Sequence, residues 1–275
     1  MNKLFISLLM FSNISLISAT ETIETEAVEW LKAYLQIETV NPPGNESRAV
    51  DYISNIFEQE GIEFNSAESA PGRGNIWARI EGGDKPALVL LHHSDVVPAN
   101  EKYWDFDPFS GEIKDGYILG RGALDMKGTG ISHLANFINL HRQGKKLNRD
   151  VIFIGAADEE SGGNFGVGWL VKNHPEIFEG AGLLLNEGGS GYKSNDSIVF
   201  SVEITQKVPV WLRLTAIDTP GHGSSPRSTS SVSRVVKALN IIWNNPFPPR
   251  IIPEVEKVFI ERSGGLDEPY SSEYR

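Results

Sequence analysis

A histidine–aspartate pair is the first feature of this sequence that is suited to chemistry. His93 and Asp95 lie in the segment HHSDVVP, at the end of an apolar run. Residues two apart on an extended strand point to the same side, so this pair can face one site while His92 faces away. A metal-bound imidazole needs an acceptor at its other ring nitrogen, which Asp95 can supply. The alternative is a turn aspartate beside strand histidines with ordinary hydrogen bonds.

A run of three carboxylates, Asp158, Glu159 and Glu160, opens the segment DEESGG. Adjacent carboxylates repel one another and need cations or solvent. Charge runs are most often solvated loops, but this one directly follows an apolar run typical of a buried strand. Glu187 repeats the pattern after three consecutive leucines. These positions favour a metal site at the ends of buried strands.

Two further candidates are flanked by glycines. Asp125 lies in GRGALDMKG, where the glycines permit a sharp turn before a helix, although a helix N-cap is the better explanation for a lone aspartate. The glycine pair does not indicate a dinucleotide loop, because the third glycine and the preceding strand are missing. His222, in PGHGSSP, can meet a substrate from an exposed loop, or it can be a loop histidine without a role.

Composition narrows the function classes. The chain has 275 residues, a formal net charge of -11 and no cysteine. The acidic balance argues against nucleic acid and anionic membrane as partners. Without cysteine there is no disulfide, thiolate nucleophile or cysteine zinc site, so any metal must be held by His, Asp and Glu. The sequence also lacks the G-x-S-x-G, H-E-x-x-H and P-loop patterns.

The N-terminal residues MNKLFISLLMFSNISLISA predict a secretory signal, residues 1–19, cleaved near Ala19–Thr20. The apolar run is short for a membrane span, so no stable span is expected after cleavage, although an uncleaved anchor is the alternative. Either way, the protein is expected to be secreted or periplasmic.

Hydrophobic periodicity predicts an α/β core with a mostly parallel sheet, which would bring the candidate residues together at the carboxyl ends of its strands. From residue 206 the pattern changes, with a strand, a helix and then Pro-rich loops. The predicted helices are 24–37, 47–60, 126–143, 166–173 and 228–243, and the predicted strands are 75–80, 87–93, 151–157, 183–185 and 208–217.

The motifs, in the order H-x-D-V-V-P, G-R-G-A-x-D-M-K-G, D-E-E-x-G-G, E-G and G-H-G-S-x-P, resemble the M20 family of metallopeptidases and amidohydrolases. The stretch from Trp104 to Gly111 is most similar to its aminoacylase and carboxypeptidase-S-like branch. The resemblance implies a zinc-peptidase-like α/β/α sandwich over 20–205. It also implies an inserted α+β, ferredoxin-like lid and dimerisation domain, present only in part over 206–275.

The resemblance also implies a dinuclear zinc centre, with Co²⁺ or Mn²⁺ as substitutes. By analogy with the family, His93 and Glu187 bind one zinc, Glu160 binds the other, and Asp125 bridges both. The family has a further zinc ligand, a histidine near the C-terminus, and no histidine follows His222 here. The chain is therefore expected to be a fragment of a longer enzyme. On its own, the fragment is expected to bind the second zinc weakly.

The remaining roles also follow from the resemblance. Glu159 is the implied general base, Asp95 orients the histidine ligand, and His222 stabilises the oxyanion from the lid of a neighbouring subunit in a homodimer. The implied substrates are N-acyl amino acids or short peptides with a free carboxylate. The alternatives are an inactive binding protein with the same fold and a dimerisation module built on the lid. The presence of Glu159 favours the enzyme hypothesis over these alternatives, because a general base is not needed for the structure.

Overall fold

The computed structural model describes residues 22–194, 197–203, 206, 210–225, 227–248 and 250–263. The predicted signal, residues 1–19, lies outside them. The chain divides into two compact units, Met1–Ile204 and Thr205–Arg275. Within the described residues, none of the helices combines the length and apolar character that a membrane crossing requires.

The first unit alternates helices with strands. Its helices are α1 (Ile23–Leu35), α2 (Ser47–Glu60), α3 (Lys127–Gln143) and α4 (Val167–Asn173), and its strands are β1 (Phe64–Glu68), β2 (Gly74–Ile80), β3 (Lys85–His93), β4 (Ile113–Lys114), β5 (Tyr117–Ile118), β6 (Arg149–Ala156), β7 (Ala181–Leu185), β8 (Ser190–Ser194) and β9 (Ser197–Ser201). The helices and strands expected in this unit are present within a few residues of their predicted ends. Strand β1 was not predicted.

The central sheet has five strands in the order β1-β2-β6-β3-β7. β6, β3 and β7 are parallel, whereas β1 and β2 join antiparallel, so the sheet is mixed. In the β3–β6 register, His93 lies opposite Ala156, the last residue of β6. The carboxyl ends of the parallel strands therefore meet at one edge, as the sequence predicts.

Two hydrophobic cores cover the two faces of this sheet. Side chains of α1, α2 and α3 pack on one face, and α4 packs on the other. Consecutive residues of β3 alternate between the faces, since Leu90 belongs to the first core and Leu91 to the second. The architecture is thus the expected α/β sandwich, and adjacent residues at the end of β3 point in opposite directions.

The glycine at residue 130 lets the His92 ring of β3 pack directly against the backbone of helix α3. A Cβ atom at Gly130 would come within 2.4 Å of the His92 ring. The helix ends at Gly144, which adopts the left-handed conformation that glycine favours. The sequence predicted this end correctly.

The second unit contains helix α5 (Ser231–Asn244), close to the predicted 228–243, and helix α6 (Pro253–Ser263). The predicted strand 208–217 is wrong for its described residues 210–217, which form no strand. Alternating apolar residues give a strand only where another strand pairs with them, and local sequence does not report the partner. Helix α6 was expected to be a Pro-rich loop, but a proline is compatible with the first turn of a helix.

Candidate metal centre

The candidate residues of the first unit converge at the carboxyl ends of three neighbouring strands. His93 ends β3, the turn that carries Glu159 and Glu160 follows β6, and Glu187 follows β7. Asp125 comes from the loop immediately before α3. This is the arrangement that the sequence analysis expected of parallel strands.

His93 lies at the centre of this cluster and is only 3% exposed. Its Nε2 atom is 3.0 Å from Asp125 Oδ1, 3.6 Å from Glu187 Oε2 and 3.9 Å from Glu159 Oε2. Its Nδ1 atom faces the main-chain oxygen of Asp95 at 2.9 Å and the Asp95 carboxylate at 3.3 Å. Because Nδ1 meets only acceptors there, it donates its proton to Asp95, and Nε2 faces the carboxylates on the side where a cation would bind.

Around the His93 ring, carboxylates make two groups of potential ligands. One group is His93, Asp125 and Glu160, and the other is His93, Glu159 and Glu187. Within each group the ligand atoms all lie within 4.8 Å of one another. Such spacing suits coordination of a metal, and the two groups overlap because both include His93.

The pKa values reflect this concentration of like charge. Burial raises the pKa of Glu187 to about 7, with Asp125 and Glu159 adding to the shift against the opposing charge of His93. Burial and the charge of Asp125 also raise the pKa of Glu160. For His93, burial acts to lower the pKa, but Asp95 and the glutamates outweigh it and raise the value to about 9. All three shifts are those expected where cations are needed to balance carboxylates.

One buried oxygen atom indicates whether a metal ion would fit among these ligands. Glu160 Oε1 is buried and has no hydrogen-bond partner among the residues that the structure describes. A buried carboxylate oxygen without a donor is costly, and a cation beside Asp125 and His93 would satisfy it. Imidazole and carboxylate ligands suit zinc, with manganese and cobalt as alternatives. The residues therefore fit a divalent metal.

Asp95 does more than the sequence predicted. Besides facing His93, its carboxylate oxygens accept hydrogen bonds from the backbone N–H groups of Glu159 and Glu160, both at 3.1 Å. Asn41 Nδ2 donates a third, at 2.7 Å. Burial acts to raise the pKa of Asp95, but His93, Asn41 and the backbone N–H of Glu160 outweigh it and keep the pKa low. Asp95 thus joins the histidine-bearing strand to the carboxylate-bearing turn.

The neighbouring His92 faces the opposite core, as its position on the strand predicts. Its Nε2 atom is 3.2 Å from the Tyr34 hydroxyl and its Nδ1 atom is 3.2 Å from the Ile154 carbonyl oxygen. Burial, together with the charges of His133 and His93, lowers its pKa to about 3. His92 is therefore a neutral core residue rather than a ligand.

The sequence did not indicate a role for Lys127, a buried lysine two residues after Asp125. Lys127 Nζ donates to the carbonyl oxygens of Tyr34, at 3.1 Å, and Ile37, at 2.6 Å. It also lies 4.6 Å from the centre of the Tyr34 ring. Burial lowers its pKa to about 7. These contacts fasten the start of α3, and with it the loop that carries Asp125, to the end of α1. The lysine in DMKG was the available signal.

His222 belongs to the second unit. Its Nδ1 atom is 2.8 Å from the Ser224 hydroxyl, and both residues are exposed. Arg227 fixes the loop nearby through an ion pair with Asp218 at 3.3 Å. The role implied for His222 in an oxyanion site stays a prediction.

An α/β sandwich with clustered histidine and carboxylate ligands at the carboxyl edge of its sheet defines a class of metal-binding α/β proteins. Residues 89–254 match the family described as Peptidase family M20/M25/M40. The chain belongs to this family, which confirms the resemblance drawn from the motifs.

Two curated relatives are similar over most of this chain. Aminoacylase-1 of Sus scrofa is 33% identical over 223 residues, which cover 80% of this chain and 54% of that protein. An N-fatty-acyl-amino acid synthase/hydrolase of Xenopus tropicalis is 34% identical over 245 residues, which cover 83% and 48%. The chain thus spans about half the length of these relatives.

A solved structure agrees. An M20 family metallo-carboxypeptidase from Sulfolobus solfataricus matches with a TM-score of 0.51 and 26% identity, over 59% of this chain and 37% of that one. Its α/β fold is the fold of the first unit.

Proposed function

We propose that the protein is a metal-dependent hydrolase that cleaves amide bonds in small substrates with a free carboxylate. The observation that carries the proposal is the convergence of His93 with four carboxylates, whose ligand atoms form two groups within 4.8 Å. One of these carboxylates, Glu160, has a buried oxygen that lacks a donor within the described part of the chain. A structural ion-pair network would pair this oxygen, whereas a metal centre leaves it free for the ion.

His93, Asp125, Glu160 and Glu187 would hold the metal, and we propose two zinc ions. Bound zinc would polarise the scissile carbonyl and lower the pKa of the attacking water. Asp95 keeps the proton on His93 Nδ1, which leaves Nε2 as the ligand atom.

Glu159 is the residue that we assign as general base. Its side chain is 51% exposed, so water and substrate can reach it, while its backbone N–H is fixed by Asp95. It would take a proton from the attacking water and return it to the leaving nitrogen. Glu160, its neighbour, belongs to the group with His93 and Asp125 and has a buried oxygen without a donor in the described residues, so we assign the adjacent glutamates different roles.

The substrate class rests on the relatives. One curated relative is named an aminoacylase, the other an N-fatty-acyl-amino acid synthase/hydrolase, and the solved structure a carboxypeptidase. N-acyl amino acids and short peptides share an amide next to a carboxylate, and these are the substrates that we propose. We also propose export after cleavage near residue 19, and a homodimer in which His222 stabilises the oxyanion.

The test is Glu159→Gln, which keeps the shape of the side chain but removes the base. Zinc content, measured by mass spectrometry of the metal, should be maintained. Hydrolysis of N-acetyl amino acids, N-dodecanoyl amino acids and dipeptides should fall by about 100-fold or more. Glu58→Gln, the same change at an exposed position of α2, is the matched control and should alter neither quantity.

Other outcomes would count against the proposal. Full activity in Glu159→Gln would exclude Glu159 as the base. Tight binding of these compounds by the unmodified protein without turnover would favour the binding-protein alternative. A purified protein that takes up no zinc, cobalt or manganese would contradict the metal centre itself.

A further inference from the structure

Three buried charged residues next to the candidate metal centre have no part in the proposed chemistry. Arg73, Glu46 and Asp158 are all buried. Arg73 Nε is 2.8 Å from Glu46 Oε2, and its Nη2 atom is 2.7 Å from Glu46 Oε1 and 2.8 Å from Asp158 Oδ1. A buried ion triad gains little stability over apolar residues of the same size, because desolvation offsets the attraction. The triad therefore calls for another explanation.

Asp158 is the first residue of the turn that carries Glu159 and Glu160, and its backbone is left-handed, with φ of 69°. A non-glycine residue holds this conformation only where its surroundings enforce it. Here Asp158 N–H donates to Glu46 Oε1 at 3.1 Å, and Asp158 Oδ2 accepts from Phe165 N–H at 3.0 Å. Together with Arg73, these bonds fix both the backbone and the side chain of the residue.

A single amide connects this triad to the centre. Asn41 Nδ2 donates to Asp158 Oδ1 at 3.2 Å and to Asp95 Oδ2 at 2.7 Å. Asp95 in turn accepts hydrogen bonds from the backbone N–H groups of Glu159 and Glu160. The turn is thus held from two sides, at its first residue by the triad and at its next two by Asp95.

We propose that Arg73 is a positioning residue for the hydrolysis, and that it acts by holding the turn at Asp158 so that Glu159 and Glu160 face the metal centre. The inference rests on the proposed function. Among its contacts in the described residues, Arg73 pairs with Glu46 and Asp158 and lies 5.1 Å from the centre of the Phe165 ring. Its influence on the reaction is therefore geometric.

The guanidinium shape is essential to this role. Arg73 engages both oxygens of Glu46 and one of Asp158 at the same time, through Nε and Nη2. A lysine ammonium is a single point donor on a flexible stem, so it keeps the charge but cannot reproduce the fork. Arg73→Lys is thus a conservative change that should loosen the turn while leaving a buried cation beside its carboxylates.

The chain offers a matched control at the other end of β2. Arg79 Nη1 is 2.6 Å from Asp150 Oδ2, and its Nη2 atom donates to the Ile177 carbonyl oxygen at 3.0 Å. This pair lies at the amino end of β6, away from the turn. Arg79→Lys makes the same chemical change in the same sheet without touching the site.

Two measurements on the whole protein test the inference. The first is hydrogen exchange of the backbone amides of Glu159 and Glu160, which needs no activity. Arg73→Lys should speed their exchange by about 10-fold or more, and Arg79→Lys should not. The second is steady-state hydrolysis, in which Arg73→Lys should lower kcat by about 10- to 100-fold with KM changed by less than about 3-fold. Zinc content should persist in Arg79→Lys.

Asp158→Gly is the second variant, in case Arg73→Lys does not fold. Glycine accepts the left-handed backbone but removes the carboxylate that Arg73 and Asn41 hold, so it should reproduce the faster exchange and the lower kcat. Unchanged exchange and kcat in a folded Arg73→Lys protein, or equal changes in Arg79→Lys, would overturn the inference. If the unmodified protein hydrolyses none of the substrates, the proposed function fails, and the exchange result still decides whether Arg73 holds the turn.

Discussion

The two ends of the central sheet differ in how they treat charge. At the carboxyl end, His93, Asp95 and Asp158 are buried, and carboxylates crowd one imidazole. At the amino end, Arg79 and Asp150 form one ion pair with side chains 30% and 27% exposed. The same strands run between both ends, so the stability of the sheet does not explain why charged side chains are buried at only one of them.

This difference indicates where the protein has given up stability for function. Burial, with the nearby carboxylates of Asp125 and Glu159, raises the pKa of Glu187 to about 7, which is unfavourable in a protein without a cation. The ion pair at the amino end carries no such penalty and resembles those of ordinary surfaces. Substitutions at the carboxyl end should therefore change metal binding and turnover, and those at the amino end should change only stability.

The largest effect is expected from His93→Ala, because His93 belongs to both ligand groups. The affinity for zinc, measured by calorimetry, should fall by at least about 100-fold. His141→Ala, at an exposed position in the last turn of α3, is the control and should bind zinc as the unmodified protein does. Equal zinc affinity in both variants would mean that the carboxyl end is not the metal centre.

A second, smaller effect, on stability, should come from Gly130→Ala, which tests the packing of helix α3 against strand β3. The added methyl group would meet the His92 ring at 2.4 Å, so the ring, helix α3 or strand β3 must shift. The free energy of unfolding should fall by about 1–3 kcal/mol in urea titrations, although alanine favours helix. Ser132→Ala, at an exposed position of the same helix, should stay within about 0.5 kcal/mol. A Gly130→Ala protein as stable as the original would show that the two elements can part at no cost.

Much of this site could be predicted from the sequence, for a physical reason. Alternation on a strand settles that His92 and His93 face opposite sides, and parallel strands bring their carboxyl ends together. Periodicity reports only a residue's own element, however, so it could not reveal that Glu46, Arg73 and Asp158, distant in the chain, form one buried triad. The strand expected at 208–217 was wrong over its described residues 210–217 for the same reason, since pairing depends on residues elsewhere.

The smallest effect is expected from Asp150→Asn at the amino end. The hydrogen bond from Gly82 N–H, together with Arg79, keeps the pKa of Asp150 below its ordinary value. A lowered folded-state pKa adds stability above the unfolded value of roughly 4, and this stability is lost as the pH falls through the folded value. The variant should therefore be less stable by under about 1 kcal/mol at pH 7, and the difference should vanish in acid.

Urea titrations at pH 7 and at about pH 3 would measure this change, with zinc affinity determined on the same samples. Asp84→Asn, an exposed carboxylate at the same end of the sheet, is the control. Asp150→Asn should leave zinc affinity unchanged, because no ligand group includes Asp150. If it weakened zinc binding as strongly as a change at the carboxyl end, the two ends would be coupled through the strands. The separation of stability from function along the sheet would then be wrong.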